Sequence, residues 1–214
     1  MIEDSDHKSP FVTQFLARMP FGCTHLFAPT TKWEKDKHVR GCSQRSAGLQ
    51  WILDQNITDG VFYFGDDDNA FDIRLFDELR KIKQVGMLPV GNMIITGAMG
   101  PVVKHGNITA FFYNWVGARK WPIDMANFGV NIRFWRERGA PKFKVSRRAY
   151  LETDFLQAMK VTYDNLEPLA ENCTQILVWH TRTEKVRIDH KAVANKTANY
   201  NDTNISALLK NTFL

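Results

Sequence analysis

Asp66, Asp67 and Asp68 stand side by side in the chain. Adjacent carboxylates repel by about 1 to 4 kcal/mol per close pair, depending on exposure. A hard divalent cation with oxygen ligands offsets that repulsion, so the triplet suits Mg2+ or Mn2+ bridging nucleotide phosphates. The plainer alternative is a solvated acidic turn in which Asp68 or Asn69 caps the next helix. His180 and Arg182 form a second group, an imidazole donor beside a planar guanidinium fork for phosphate oxygens. Arg40 and Arg45 flank an expected helix start, where anions are attracted. Glu152 stands at another helix start, where the dipole stabilises a carboxylate. In a cleft beside phosphate and sugar the same group would serve as a general base. Asp124 and Arg119 have the chemistry to hold sugar hydroxyls or a sugar carboxylate. Trp115, Trp121 and Trp135 are candidates to line an acceptor-sugar site, whereas Trp51 is expected in the core.

The triplet follows Gly60-Val61-Phe62-Tyr63-Phe64-Gly65, an unbroken aromatic and β-branched run between glycines. That pattern predicts a strand buried on both faces, as in a parallel sheet. In open α/β sheets ligands bind outside the carboxyl ends of strands, where the triplet falls. Residues 70–83 read as an amphipathic helix with Leu75, Leu79 and Ile82 inward, and residues 87–90 as the next strand. Upstream, residues 9–19 predict a helix with Pro10 in its first turn. Residues 24–27 form a short apolar run, and residues 43–53 predict a second helix with Ala47, Leu49, Trp51 and Ile52 on its apolar side. Residues 94–114 alternate in short strands broken by glycines, 124–132 is a further strand candidate, and 150–161 a helix. Residues 175–179 form an apolar strand that runs into His180. Beyond about Arg187 the pattern fades, and 187–214 reads as a polar tail with a terminal helix around 205–209. The expected plan is two lobes meeting at strand carboxyl ends.

With 214 residues the chain makes one domain or two small lobes. Its 44% hydrophobic and 24% charged residues are those of a folded globular chain, which excludes general disorder. Thirteen glycines exclude a collagenous chain, and no long apolar heptad pattern appears. No run of about 18 apolar residues spans a membrane, and the acidic start Met1-Ile2-Glu3-Asp4 is no basic leader region. The net charge of +5 (28 Lys+Arg against 23 Asp+Glu) is spread along the chain, and no nucleic-acid-binding motif accompanies it. Cys23, Cys42 and Cys173 lack metal-ligand spacing, leaving either one disulfide with a free thiol or three buried thiols. Asn-x-Ser/Thr sequons occur at Asn56, Asn107, Asn172, Asn195, Asn201 and Asn204. They favour a secretory lumen.

Three segments carry a resemblance. Gly-Val-Phe-Tyr-Phe-Gly-Asp-Asp-Asp-Asn (60–69), Pro-Ile-Asp-Met-Ala-Asn-Phe-Gly-Val-Asn (122–131) and Asn-Cys-Thr-Gln-Ile-Leu-Val-Trp-His-Thr-Arg-Thr-Glu-Lys (172–185) closely resemble the β-1,3-glucuronyltransferases. Arg40-Gly41 with Gln44-Arg45, and Tyr150-Leu151-Glu152, fall in family order. The resemblance covers residues 1–186 as a catalytic domain, with 187–214 left as the tail. It implies a GT-A-like α/β fold with a mixed, mostly parallel sheet and flanking helices, lacking the family's first strand. It also implies inverting transfer of glucuronic acid from UDP-glucuronate to O3 of a terminal galactose on a proteoglycan linker or related glycan. By the same resemblance Asp68 is the direct Mn2+ ligand, while Asp66 and Asp67 place ribose and metal waters. Asp4, Arg40 and Arg45 correspond to nucleotide contacts, and His180 and Arg182 to diphosphate grips. Asp124 and Arg119 correspond to donor-sugar contacts, and Glu152 to the base. Inversion by one in-line displacement needs a single base on the acceptor hydroxyl and charge neutralisation at the departing UDP. The family works in the Golgi lumen on a type II membrane anchor, and no anchor is expected in this chain. Asn172, Asn107 and Asn56 are the preferred glycosylation candidates.

Departures accompany the match. The family's first, uracil-stacking strand falls before residue 1, and residues 97–101 carry no acid where the family has a Glu before a Pro near its acceptor. The C-terminal segment that reaches a partner subunit is replaced, so a homodimer stays open. A noncatalytic homologue that binds glycan or a partner protein is the alternative, and a metal-dependent nucleotidyltransferase a third.

Overall fold

The computed structural model describes residues 1–93, 95–113, 119–144, 149–181 and 187–212. In chain order the first elements are β1 (Ile2–Glu3), α1 (Pro10–Leu16), β2 (Leu26–Phe27), α2 (Lys32–Asp36) and α3 (Cys42–Asp54). Next come β3 (Val61–Tyr63), β4 (Asn69–Phe71), α4 (Arg74–Leu79), β5 (Val85–Met87), β6 (Val90–Met93), β7 (Gly97–Lys104) and β8 (Asn107–Phe112). A 3-10 turn at Met125–Asn127 leads into β9 (Phe128–Asn131) and α5 (Ile132–Glu137), followed by α6 (Leu151–Ala158). The remainder holds β10 (Leu166–Pro168), the one-turn α7 (Ala170–Cys173), β11 (Val178–His180), α8 (His190–Thr197) and α9 (Ile205–Thr212). The chain divides into two compact units, residues 1–58 with 140–159 and residues 59–139 with 160–214.

In the first unit β1 and β2 pair in parallel, and α3 packs across them. Gly48 in α3 is what lets the Ile2 side chain approach that helix closely. Leu49, Ile52, Phe155 and Leu156 form buried core, and Phe143 stacks on Phe155 with ring centres 4.2 Å apart. Glu34 of α2 is fully buried yet satisfied: it accepts hydrogen bonds from the Thr31 and Ser43 backbone N–H groups and from both hydroxyls. This carboxylate ties α2 to the start of α3. The helix α1 forms as its Pro10 start predicts but buries no residue, leaving Phe11 and Phe15 exposed. Trp51 is half-buried rather than a core residue.

The second unit holds a four-stranded sheet, order β10-β5-β9-β3, and a five-stranded sheet, order β4-β11-β6-β7-β8. Parallel pairing occurs at β5–β10 and β6–β11, while β3–β9, β5–β9, β4–β11, β6–β7 and β7–β8 are antiparallel. The sheets are therefore mixed, with less parallel pairing than the sequence suggests. One reason is local: His105 and Gly106 both take positive φ (50° and 78°) between β7 and β8, the turn chemistry of a tight antiparallel hairpin. Likewise β3 is an edge strand paired antiparallel to β9 rather than a central parallel strand. Phe62 is covered by Phe64 and Trp135 (both 5.5 Å between ring centres), so aromatic side chains do the burying that flanking strands were expected to do. Residues 70–71, expected in a helix, pair instead with β11 together with Asn69; Asp72 then accepts from the Arg74 N–H and starts α4 there.

Residues 187–212 are not a loose tail. Val193 of α8 and Ile205, Leu208 and Leu209 of α9 pack with Ala98, Val102, Phe112 and Ile176 in one buried cluster. Asn204 locks this segment down, accepting from the Val103 N–H and donating to the carbonyls of Pro101 and Cys173. Their apolar residues recur at helical spacing but are too sparse among Asn and Thr to signal burial. The α7 turn is wound left-handed, with φ of 50° to 59° through Ala170, Glu171, Asn172 and Cys173. Each such residue costs about 1–2 kcal/mol, so surrounding bonds must hold it. Glu78 accepts from the Ala170 N–H, the Cys173 thiol donates to the Met87 carbonyl, and Asn204 takes the Cys173 carbonyl.

Candidate active site

The β4–β11 ladder brings the two sequence clusters together. His180 pairs directly with Asn69, one residue after the aspartate triplet. Thr181 seals the register, its N–H (2.6 Å) and hydroxyl (2.7 Å) both donating to the Asp68 carbonyl. On the other side Asn92 of β6 donates to the His180 carbonyl at 2.9 Å.

The expected strand over 124–132 begins as a turn. The Asp124 carboxylate accepts from the Ala126 N–H (3.0 Å), and the Asn127 side chain accepts from the Asp124 N–H (2.7 Å). Asn127, fully buried, also donates to the Leu88 carbonyl. The Tyr63 hydroxyl donates to the Ala126 carbonyl at 2.9 Å, tying this turn to the strand that delivers the triplet. Asp124 is thereby fixed 3.3 Å from His180 Nε2, while Asp68 lies 3.8 Å from Nδ1. The His180 side chain is only 13% exposed. Its hydrogen bond to Asp124 raises its pKa against the opposing effect of burial, and the charges of Asp124, Asp68 and Asp66 add to the rise. The imidazolium form, the one suited to a phosphate group, is thus favoured. Burial pushes the Tyr63 phenol up, with Asp124 and Asp66 adding to it, so Tyr63 is a neutral donor.

Among the described residues no three His, Cys, Asp or Glu side chains converge on one metal position. Mg2+-like ions commonly take one or two protein carboxylates and find their other ligands in substrate phosphates and water. Asp68, 62% exposed, is a carboxylate open enough for that arrangement. Beside it, Oδ1 and Nδ2 of Asn69 are both buried without a hydrogen-bond partner among the described residues. Buried amides are nearly always satisfied, so this one keeps hydrogen-bonding capacity that water or a ligand would take up. The donor set fits a hard, oxygen-preferring cation.

The first unit assembles a separate polar group. Asp4 follows β1 and Thr30 follows β2, both at carboxyl ends of parallel strands. The Asp4 carboxylate accepts from the Thr30 N–H (2.6 Å) and hydroxyl (2.5 Å). The Thr30 hydroxyl bond lowers its pKa most; the backbone bond and Lys35 also lower it, against a smaller effect of burial. Gln44 in the first turn of α3 donates to the Ala28 carbonyl and to Thr30, and its Oε1 is buried without a partner among the described residues. Gly41, at φ 73°, starts α3 and lies against the Arg45 guanidinium, which donates to the Arg40 carbonyl at 3.2 Å. Glu152 is half-buried in the first turn of α6, also in this unit.

Asp66, Asp67, Asp68, Asp124, Arg119 and His180 therefore belong to the second unit, and Asp4, Arg40, Arg45 and Glu152 to the first. Arg182 and Trp115 lie outside the described residues. Trp121 and Trp135 are fully buried and form core rather than a sugar-facing wall. Thr30, Asn69 and the brace from Tyr63 escaped the sequence reading; only the position of Asn69 after the triplet offered a signal. All three cysteines are free, Cys23 exposed and the others buried. Burial pushes Cys42 up to about 11 and Cys173 further, so neither is a thiolate nucleophile. Asn56, Asn107 and Asn172 are exposed, whereas Asn204 is buried.

Comparison with known proteins shows the family. The chain is 38% identical over 212 residues to galactosylgalactosylxylosylprotein 3-beta-glucuronosyltransferase S of Drosophila melanogaster, covering 98% of the chain and 51% of that protein. It is 39% identical to the enzyme sqv-8 of the same designation from Caenorhabditis elegans, over 92% of the chain and 58% of the relative. The human enzyme 3 of that designation is 34% identical, over 88% and 62%. The chain thus spans about half the length of the curated relatives it matches. Its mixed sheets flanked by helices are of the GT-A-like α/β class. The family model described as Glycosyltransferase family 43 matches residues 1–184, and the chain belongs to that family.

Proposed function

We propose that this chain carries the catalytic parts of an inverting β-1,3-glucuronosyltransferase, moving glucuronic acid from UDP-glucuronate to O3 of a terminal galactose. The observation that carries the reading is the convergence of His180, Asp124 and Asp68 on one sheet end, beside an Asn69 amide that is unpartnered among the described residues. The names of the relatives supply the substrate class.

In this reading Asp4, Arg40 and Arg45 bind the nucleotide, Asp66 and Asp67 orient the ribose, and the same two carboxylates would accept from waters on a cation held at Asp68. His180, its pKa raised by the hydrogen bond to Asp124, donates to the diphosphate, joined by Arg182. Asp124 and Arg119 hold the donor sugar. Glu152 takes the proton from the acceptor O3 hydroxyl as that oxygen attacks the anomeric carbon, and the bond to UDP breaks on the opposite face. Asp68 would hold Mn2+, which when bound supplies charge neutralisation to the departing diphosphate. No covalent enzyme intermediate is needed, in keeping with two buried, protonated cysteines. The setting is the Golgi lumen, with glycans on exposed Asn172, Asn107 and Asn56; among the described residues no helix is long and apolar enough to cross a membrane. UDP-glucuronate and a galactose-terminated glycan are the partners, and a homodimer is the assembly to test first.

The test is UDP release from UDP-glucuronate with Mn2+ and a galactosyl-galactose acceptor, with Glu152→Gln and a metal-free sample as controls. Turnover requiring both supports the proposal. A folded chain that binds galactosides without turnover refutes it and makes the protein a glycan-binding homologue instead.

A further inference from the structure

A cavity of about 340 Å3 opens in the second unit, and the triplet is not among its lining residues. β9 and β3 run antiparallel, so Gly129 faces Tyr63 near the Asp124 turn while Asn131 faces Val61 at the opposite sheet end. The cavity lies at that opposite end, lined by Lys83, Gln84, Asn131, Arg133, Arg138 and Asn165. Glu137 is the one acid in its lining, so the lining charge is 3 − 1 = +2. A second acid, Glu167, is already engaged by the backbone N–H groups of Lys83 and Gln84.

The cations are largely unspent. Neither the Lys83 ammonium nor the Arg138 guanidinium pairs with an acid among the described residues. Arg138 lies 4.8 Å over the Phe134 ring, a stacked pose that leaves a guanidinium's N–H edges for a ligand. Arg133 is 3.7 Å from Asp59, but both are exposed and such a pair is weak. The amides are fixed. Asn131 donates to the Ile82 carbonyl and accepts from Arg133 and Phe134, while Gln84 accepts from Asn165 and keeps its NH2 group unpartnered among the described residues. The volume is at the small end of the ~300–1,000 Å3 range of ligand cavities, room for about one or two sugar rings.

We propose that this cavity binds an anionic saccharide unit: Lys83, Arg133 and Arg138 take its carboxylate or sulfate ester, and the Gln84 amide takes a ring hydroxyl. The inference rests on this cavity alone and does not depend on the reaction proposed above. The experiment is calorimetric titration of the chain with a sulfated, uronate-containing tetrasaccharide, a neutral galactose tetrasaccharide, a uronate tetrasaccharide without sulfate, a glutamate-rich peptide of equal charge, and inorganic sulfate. Saturable binding of one or both anionic saccharides is expected, weakening as salt rises. Which of them binds tells whether carboxylate or sulfate is the recognised group. The double variant Lys83→Ala/Arg138→Ala, at exposed positions, should weaken it at least tenfold, while Lys104→Ala on β7 should change it less than twofold. Unchanged affinity in the double variant, equal binding of the neutral saccharide, or equal binding of the peptide or of sulfate alone would overturn the proposal. Because binding is read directly, a chain inactive in glucuronyl transfer leaves the result interpretable.

Discussion

Replacing Asn204 by Ala removes three buried hydrogen bonds at once, to the Val103 N–H (2.7 Å), the Cys173 carbonyl (2.9 Å) and the Pro101 carbonyl (3.0 Å). Each is worth about 1 kcal/mol net, and leaving the three buried partners unsatisfied adds to the cost. A loss of about 3–5 kcal/mol follows, a large share of the ~5–15 kcal/mol that holds a domain folded. With a urea slope of about 2–3 kcal/mol/M, the unfolding midpoint should fall by about 1–2 M. Asn204→Asp should lose at least as much, because a carboxylate would then face two carbonyl oxygens. Urea titration followed by tryptophan fluorescence reads both variants. The same geometry forbids a glycan at this sequon in the folded chain, since the amide is 8% exposed and engaged. Peptide mass spectrometry of secreted protein should find Asn204 bare. A midpoint shift under about 0.3 M, or a glycan on Asn204 in folded protein, would refute the docking of residues 187–212.

Tyr63→Phe deletes the hydroxyl that braces the Asp124 turn; stability should drop by about 1 kcal/mol, and KM for UDP-glucuronate should rise severalfold with little change in kcat. An unchanged KM in initial-rate assays would remove Tyr63 from the site's support. Glu34→Gln should cost about 2–4 kcal/mol at neutral pH, measured by thermal or urea unfolding. Burial alone would raise the Glu34 pKa, but the bonds from Ser43 and Thr31 outweigh it and hold the carboxyl below its ordinary 4.5. Its stabilisation is therefore complete above pH 4.5 and is lost as pH falls through the lower folded value, so the gap between wild type and variant should narrow with acidification. A constant gap from pH 7 to pH 3 would contradict that. Chelating divalent cations should abolish UDP release, and Asp68→Asn should cut it by about a hundredfold or more; full activity after chelation would exclude a cation at Asp68.

Much of the chemistry was legible in the residues themselves. The aspartate triplet after a glycine-bounded aromatic run, His180 at the end of an apolar strand, and Glu152 at a helix start are local patterns, and local periodicity is enough to place them on elements. What periodicity does not encode is which elements pair. The ladder that sets His180 opposite Asn69 joins residues more than a hundred positions apart, and it converts the expected start of a helix into β4. Tyr63 reaches Ala126 across 63 positions, and Asn204 reaches Pro101 across 103. The same limit hid the burial of Trp121 and Trp135, since an indole reads alike in a core and on a sugar platform until its neighbours are known. It also hid the role of residues 187–212, whose few apolar side chains look too sparse to matter. Packed against Ala98, Val102 and Phe112 they become core. Sequence determined the candidate chemistry because reactive groups announce themselves by type and spacing. Tertiary structure decided which of them meet, because burial and hydrogen-bond partners are properties of the folded neighbourhood.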